Sequence, residues 1–241
     1  MRTRPHWAGE LLVLAFLLVI YDQIASQAAS RTAAALAHGR DMLALSPHGL
    51  ELSADHWLAG VSWLRNPSAY YYDLAHINIT VIVFAVCFLW RGSVYRRART
   101  ALVIVNLIGL AVFLLYPVAP PRLLPGAGFV DIVAQSGTFQ SGDGAVQHSN
   151  AYGSMPSLHA AWAVWVALTV MTMTSSWWLR GLAWLHVLLT FVVVIITGNH
   201  YAIDVVAGSL TVAVAWAIAP YCVVKRSQVP HSVLEGAAEP G

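Results

Sequence analysis

The sequence predicts an all-α, integral membrane protein: a six-transmembrane-helix bundle. Three observations carry that expectation. Of the 241 residues, 58% are hydrophobic and only 10% are charged, where a soluble domain carries about 25% charged residues. Six apolar runs of spanning length punctuate the chain. Basic residues gather in the short connections on one side of those runs. The net charge of +2 is too small to argue for a nucleic-acid partner. Cys87 and Cys222 fall inside apolar runs and read as buried thiols rather than a disulfide framework. No internal repeat at solenoid or propeller periods is present.

The first run, 8–26, follows Arg2 and Arg4. Ala-Ser-Gln-Ala-Ala at 25–29 would suit a cleavage site, but the run continues past a signal-peptide core and reads as a retained helix. Residues 27–70 form a long mixed loop, in which Arg31–Leu45 and Asp55–Leu64 read as short amphipathic helices on the surface. The second run, 72–90, opens behind Tyr70, Tyr71 and Tyr72 and closes at Trp90, as interfacial aromatic belts do. His76 lies one turn inside it, where a lone histidine is more often a structural hydrogen-bonding group.

A basic loop with Arg91, Arg96, Arg97 and Arg99 leads into the third run, 101–118, which ends in Tyr-Pro-Val-Ala-Pro-Pro-Arg (116–122). Residues 121–153 are rich in Gly, Pro, Ser and Gln and exceed a usual connection, which suggests a lid or binding loop. His148 in that loop reads as solvated. The fourth run, 157–174, follows Ser-Met-Pro-Ser-Leu-His (154–159); Ser154 can cap its helix, and Pro156 is tolerated in a first turn. Trp177 and Trp178 mark its far interface. The fifth run, 179–197, puts His186 near mid-membrane, hydrogen-bonded within the bundle. A very short turn, Gly198-Asn199-His200-Tyr201, precedes the sixth run, 202–222, and the tail 223–241 has the composition of a disordered segment.

Six helices put both termini on one side. Arg2, Arg4, the arginines of 91–99, Arg180, Lys225 and Arg226 fall on that side, which the positive-inside rule makes cytoplasmic. Arg122, Ser157, His159 and His200 then converge at the extracytoplasmic ends of helices three to six.

Those residue types suit one chemistry. His200 and Asp204 are four apart at a helix start and share a face. A carboxylate there can accept the imidazole N–H and leave the other nitrogen as a nucleophile. His159 could protonate a leaving alkoxide. Arg122 and the N–H groups opening the fourth helix could hold non-bridging phosphate oxygens, and Ser157 adds a hydroxyl. Together they suit phosphoryl transfer through a phosphohistidine without a metal or other cofactor. A zinc site on His159, His200 and Asp204 would meet repulsion from Arg122. A serine hydrolase would need Ser157 to face a base, and no G-x-S-x-G elbow is present. A transporter would place its ionisable groups at the bilayer midplane, and a set of unrelated interfacial polar residues remains the bland alternative.

Pro-Pro-Arg (120–122), Pro-Ser-Leu-His (156–159) and His-Tyr-Ala-Ile-Asp (200–204) resemble the three signature motifs of the type 2 phosphatidic acid phosphatase superfamily. Tyr-Gly-Ser-Met-Pro-Ser-Leu-His-Ala and Gly-Asn-His-Tyr-Ala-Ile-Asp are similar to its inositol phosphorylceramide synthase-like branch, the inositolphosphotransferases. The resemblance covers helices three to six. Leu115 and Val194 stand where the classical motifs carry a lysine and an arginine, and Leu158 where they carry a glycine; all three match that branch. The resemblance implies a phosphatidic acid phosphatase/haloperoxidase-like membrane core over 71–222, preceded by a first helix and extracytoplasmic loop over 1–70 and followed by a cytoplasmic tail over 223–241. It implies His200 as nucleophile, Asp204 as orienter, His159 as acid, and Ser157 and Arg122 on the phosphate. Tyr116, His76 and Tyr201 are candidates for the missing part of the clamp. The expected protein is a multi-pass cell-membrane enzyme with its site extracytoplasmic, cleaving a lipid phosphate ester with water as acceptor. Transfer of a phosphoinositol-type head group to an alcohol is the alternative, and a non-catalytic lipid-binding or transport protein a third.

Overall fold

The computed structural model describes residues 7–27, 29–90, 92–136 and 150–223. Arg2, Arg4, Arg91, His148, Lys225, Arg226 and the tail beyond Val223 lie outside the described residues. Among the described residues every regular element is helical, with one isolated parallel bridge between Val118 and Gly153.

Helix α1 spans Trp7–Ala25, α2 Thr32–Leu45 and α3 His48–Gly60. α4 (Ser62–Tyr70), a π-helical turn (Tyr71–Ala75) and α5 (His76–Trp90) run on as one helical stretch. α6 covers Gly92–Leu115, and a 3₁₀ turn at Pro121–Leu123 leads to the short α7, Ile132–Gln135. α8 (Leu158–Met173), α9 (Trp177–Ile196) and α10 (Ala202–Cys222) complete the chain.

Five stretches among the described residues are long and apolar enough to cross a membrane: Trp7–Ala25, Ser62–Trp90, Val94–Leu115, Trp177–Ile196 and Ala202–Cys222. By helix length and composition this is a multi-pass membrane protein. The fourth expected span is a shorter helix of 16 residues. It measures about 24 Å at 1.5 Å per residue, against a hydrocarbon core of about 30 Å.

Four local expectations are corrected. The second span begins ten residues early: α4, with Pro67 inside it, and the π turn run into α5 as one helical stretch from Ser62. The second surface helix is not Asp55–Leu64: α3 ends at Gly60, and Val61 (φ −104°, ψ 83°) leaves helical geometry before α4 starts. Arg96, Arg97 and Arg99 are not loop residues but the opening turns of α6. They carry that helix past the apolar layer, where Arg99 pairs with Glu10 of α1 at 2.9 Å and Arg97 donates to the Trp216 carbonyl at 3.2 Å. Of the two thiols only Cys87 is buried; Cys222, in the last turn of α10, is exposed.

α8 is the axis of the bundle and packs against α5, α6, α9 and α10. Its Ala160, Ala161, Ala163 and Ala167 are fully buried, and small side chains of this kind let neighbouring helices approach closely. Trp165, the largest fully buried side chain, donates its indole N–H to the Ala98 carbonyl of α6 at 2.8 Å. A Cβ on Gly208 of α10 would run into the Ser157 carbonyl at the foot of α8. At the other end of α6, Arg31 donates to the Phe113 and Leu114 carbonyls, which satisfies acceptors that a helix terminus leaves open. Outward faces are apolar, as at Leu12, Leu188 and Leu210.

Candidate active site

The site forms where the starts of α8 and α10 meet. After α9, Gly198 takes φ +65° and turns the chain back, the left-handed conformation that favours glycine after a helix end. The N–H groups of Asn199 and His200 both donate to the Val194 carbonyl, at 3.2 and 3.0 Å. Four residues beyond His200, the Asp204 carbonyl accepts the N–H of Ser157 at 3.0 Å and pins the opening of α8 to the first turn of α10.

Ser154 is not the cap of α8. The cap is Ser157, whose Oγ accepts from the Ala160 N–H, with Pro156 outside the helix. Ser154 Oγ is drawn instead to the Asp204 carboxylate, donating to Oδ2 at 2.5 Å. That oxygen also accepts the Tyr201 N–H at 3.1 Å, while Oδ1 is buried with no partner among the described residues.

His200 Nδ1 lies 2.9 Å from the Ser154 carbonyl and 3.4 Å from Asp204 Oδ2. A carbonyl only accepts, so Nδ1 carries the proton, and in the neutral ring Nε2 is then the acceptor. Nε2 sits 3.2 Å from His159 Nδ1, so the network assigns the proton of that contact to His159. His159 Nε2 is left without a proton or a partner, in a buried setting. Tyr72 stacks on the His159 ring at 4.4 Å, and the His76 ring lies 4.0 Å away on the π-turn side. A fixed imidazole with an unprotonated nitrogen beside a second imidazole is an arrangement that can serve as nucleophile and acid–base pair.

Arg122 is held on two sides. Its Nε donates to Asn199 Oδ1 at 2.8 Å and its Nη1 to Asp131 Oδ2 at 2.6 Å, while its backbone N–H donates to the Gly198 carbonyl. Two buried acids of α3 brace the same region. Glu51 accepts the Ala202 N–H at the start of α10, at 2.7 Å, and Asp55 accepts the Val130 N–H at 2.8 Å. Burial raises the Asp55 carboxyl above the usual range. It likewise raises the Tyr201 hydroxyl, with the Asp204 and Glu51 charges adding to the effect.

The structure therefore gathers His200, His159, Asp204, Ser157 and His76 into one cluster, with Arg122 fixed to the adjoining turn. Tyr116 stacks on His38 at 3.8 Å, and Tyr201 donates its hydroxyl to the Ala119 carbonyl; both pack in the cluster against α2. His186 lies apart, hydrogen-bonded through Nδ1 to the Tyr71 hydroxyl at 2.7 Å. Sequence reasoning missed Tyr72, Asn199, Asp131 and Glu51. Tyr72 was signalled by its helical spacing from His76; Glu51, remote in sequence from Ala202, and Asp131, in the irregular loop after Arg122, carried no signal. Among the described residues no group of three or more His, Cys, Asp or Glu side chains is placed to hold a metal ion.

A curated protein from Bacteroides thetaiotaomicron, named phosphoinositol dihydroceramide synthase, is 27% identical over 159 residues, covering 60% of this chain. The chain spans about half the length of that relative, 52% of it. No solved structure matches the chain. The family model described as the PAP2 superfamily matches residues 48–218, from α3 almost to the end of α10, and the chain belongs to that superfamily.

Proposed function

We propose that this protein is a lipid phosphotransferase that works through a phosphohistidine at His200 and passes a phosphoinositol-type head group to a lipid alcohol. The observation that carries the histidine chemistry is the pair itself: Nδ1 of His200 anchored at 2.9 Å and Nε2 presented to His159 at 3.2 Å. Family membership supports action on a lipid phosphate ester. The name of the curated relative supports an alcohol as acceptor in place of the water that the sequence reading put first.

In the first step substrate displaces the His159–His200 hydrogen bond, and Nε2 of His200 attacks phosphorus. His159 enters this step as the imidazolium, taking up a second proton as the anionic phosphodiester binds beside it. The P–O bond to the donor lipid breaks, and His159 gives one proton to the departing alkoxide and is left neutral. In the second step the acceptor hydroxyl loses its proton to His159 and attacks the phosphohistidine, releasing Nε2. Ser154 and Asp204 keep the Nδ1 proton in place throughout. Arg122, held in its fork by Asn199 and Asp131, and Ser157 at the helix start serve the non-bridging oxygens, with no cofactor called for.

The same reading has α8 as the remaining span of a six-helix bundle, with the first helix in 1–70, the phosphatase/phosphotransferase core over 71–222, both termini cytoplasmic, and the site on the extracytoplasmic face of the cell membrane. Phosphorus NMR on the purified protein with phosphatidylinositol and a ceramide-type alcohol tests it, with His200→Ala as control. A new phosphodiester signal with wild type alone supports the transferase. Free inositol phosphate would make water the acceptor, and identical spectra for both proteins would sink the enzyme reading.

A further inference from the structure

A groove of about 620 Å³ opens along the bundle between α5, α8 and α9, lined almost wholly by apolar side chains. Its walls continue the helical stripes that carry the two site histidines. On α5, Ile79, Val83 and Trp90 follow His76 by three, seven and fourteen residues; on α8, Val166, Val170 and Met173 follow His159 by seven, eleven and fourteen. Such spacings stack side chains on one face, so the groove lies beneath the point where the two rings stand 4.0 Å apart. Both α5 and α9 pack on α8, which floors the groove. At the site end His186 is part of the lining, and its hydrogen bond to Tyr71 ties the π turn before α5 to α9.

We infer that this groove is the binding site for one hydrocarbon chain of the lipid whose phosphate ester is cleaved, an inference that rests on the reading above. Three observations commit it to that occupant. The two helical stripes that line the groove also carry His76, about one turn above Ile79, and His159, about two turns above Val166. From Ile79 to Trp90 it runs about 16 Å at 1.5 Å per residue, the reach of roughly a dozen methylenes with C–C bonds of about 1.52 Å. Between the histidines and the groove lies Trp162, its ring 5.8 Å from His76 and its indole N–H buried without a partner. That donor suits the carbonyl by which a chain joins its lipid backbone. Ester phosphorus at His200, carbonyl at Trp162 and methylenes from Ile79 downward follow the order of groups in a glycerolipid.

The test uses the full-length protein in nanodiscs. His200→Ala, which retains substrate, is photolabelled with phosphatidylinositol carrying a diazirine at the end of a palmitoyl chain, and the labelled peptides are mapped. Labelling is expected on the lower parts of α5 and α8, suppressed by unlabelled phosphatidylinositol but not by diacylglycerol. Alongside, Val83→Trp and Val170→Trp fill the groove from opposite walls. Each is expected to lower kcat/KM for palmitoyl substrate about tenfold relative to octanoyl substrate. Label spread evenly over the lipid faces of α1 and α6, or a palmitoyl-to-octanoyl ratio unmoved by both variants, overturns the assignment. If wild type turns over neither lipid yet the label still maps to the groove, the chain site stands and the phosphotransferase reading falls.

Discussion

Replacing Asp204 by asparagine separates two ways of orienting the nucleophile. If the carboxylate alone fixed the His200 tautomer, Asp204→Asn would be as damaging as removal of the histidine. The structure puts the Ser154 carbonyl nearer to Nδ1, at 2.9 Å against 3.4 Å for Asp204 Oδ2. In the variant the side-chain oxygen must stay where Oδ2 was, because the Ser154 hydroxyl and the Tyr201 N–H both donate there. The new amide group then takes the place of Oδ1, buried without a partner, at a cost of about 1–3 kcal/mol in stability. His200 keeps its Nδ1 proton. What disappears is a full negative charge beside a ring that becomes cationic as phosphorus bonds, an interaction of about 1.5–3 kcal/mol. At about 1.4 kcal/mol per tenfold, kcat falls roughly 10- to 150-fold. His200→Ala, by contrast, costs several orders of magnitude. Turnover of phosphatidylinositol, normalised to the folded fraction from thermal melts, distinguishes the two. An Asp204→Asn enzyme as inactive as His200→Ala refutes the carbonyl anchor.

Further perturbations probe the surrounding frame. Ser154→Ala keeps that carbonyl, so turnover should fall by less than about tenfold, while the melt drops with the lost charge-assisted hydrogen bond. Gly208→Ala forces a Cβ onto the Ser157 carbonyl and should lower stability by at least about 1–3 kcal/mol, read as a fall in melting temperature; an unchanged melt would mean α8 and α10 can part. Arg122→Lys loses the planar fork between Asn199 and Asp131 and should cut kcat/KM about 10²-fold; steady-state kinetics check it. Asp55 has a raised carboxyl pKa from burial, so its neutral form stabilises the fold fully below about pH 4. That stability is lost as pH rises through the higher folded value. Melts from about pH 4 to 7 should therefore fall more steeply for wild type than for Asp55→Asn, and parallel curves would contradict the burial argument.

Much of this molecule is legible in its sequence where one pattern has one physical outcome. The apolar runs of α1, α9 and α10 locate those helices within a residue or two, because nothing but a helix satisfies backbone groups in lipid. His159 and His200 could be paired beforehand because each opens a run at the same depth. Patterns that admit two outcomes misled. Ser154 and Ser157 are both good caps, and only the pull of Asp204 on the Ser154 hydroxyl decides between them. Arg96, Arg97 and Arg99 suggest a loop from charge alone, yet a helix that outruns the apolar layer carries charge freely. The braces on the site, Glu51 to Ala202 and Asp131 to Arg122, join remote or loop residues and exist only once the helices are assembled.

The close seam between α8 and α10 also bears on how such a protein can change over generations. Ser157, Asp204 and Gly208 lock the reacting groups to two helices that meet without room for an added methyl group, so drift there is heavily penalised. The walls of the apolar channel come from α5 and α9, whose side chains border the bilayer and tolerate exchange among hydrophobic residues. On the proposed function, such a layout lets the walls that would choose the lipid vary without any change in the residues that would act on phosphorus.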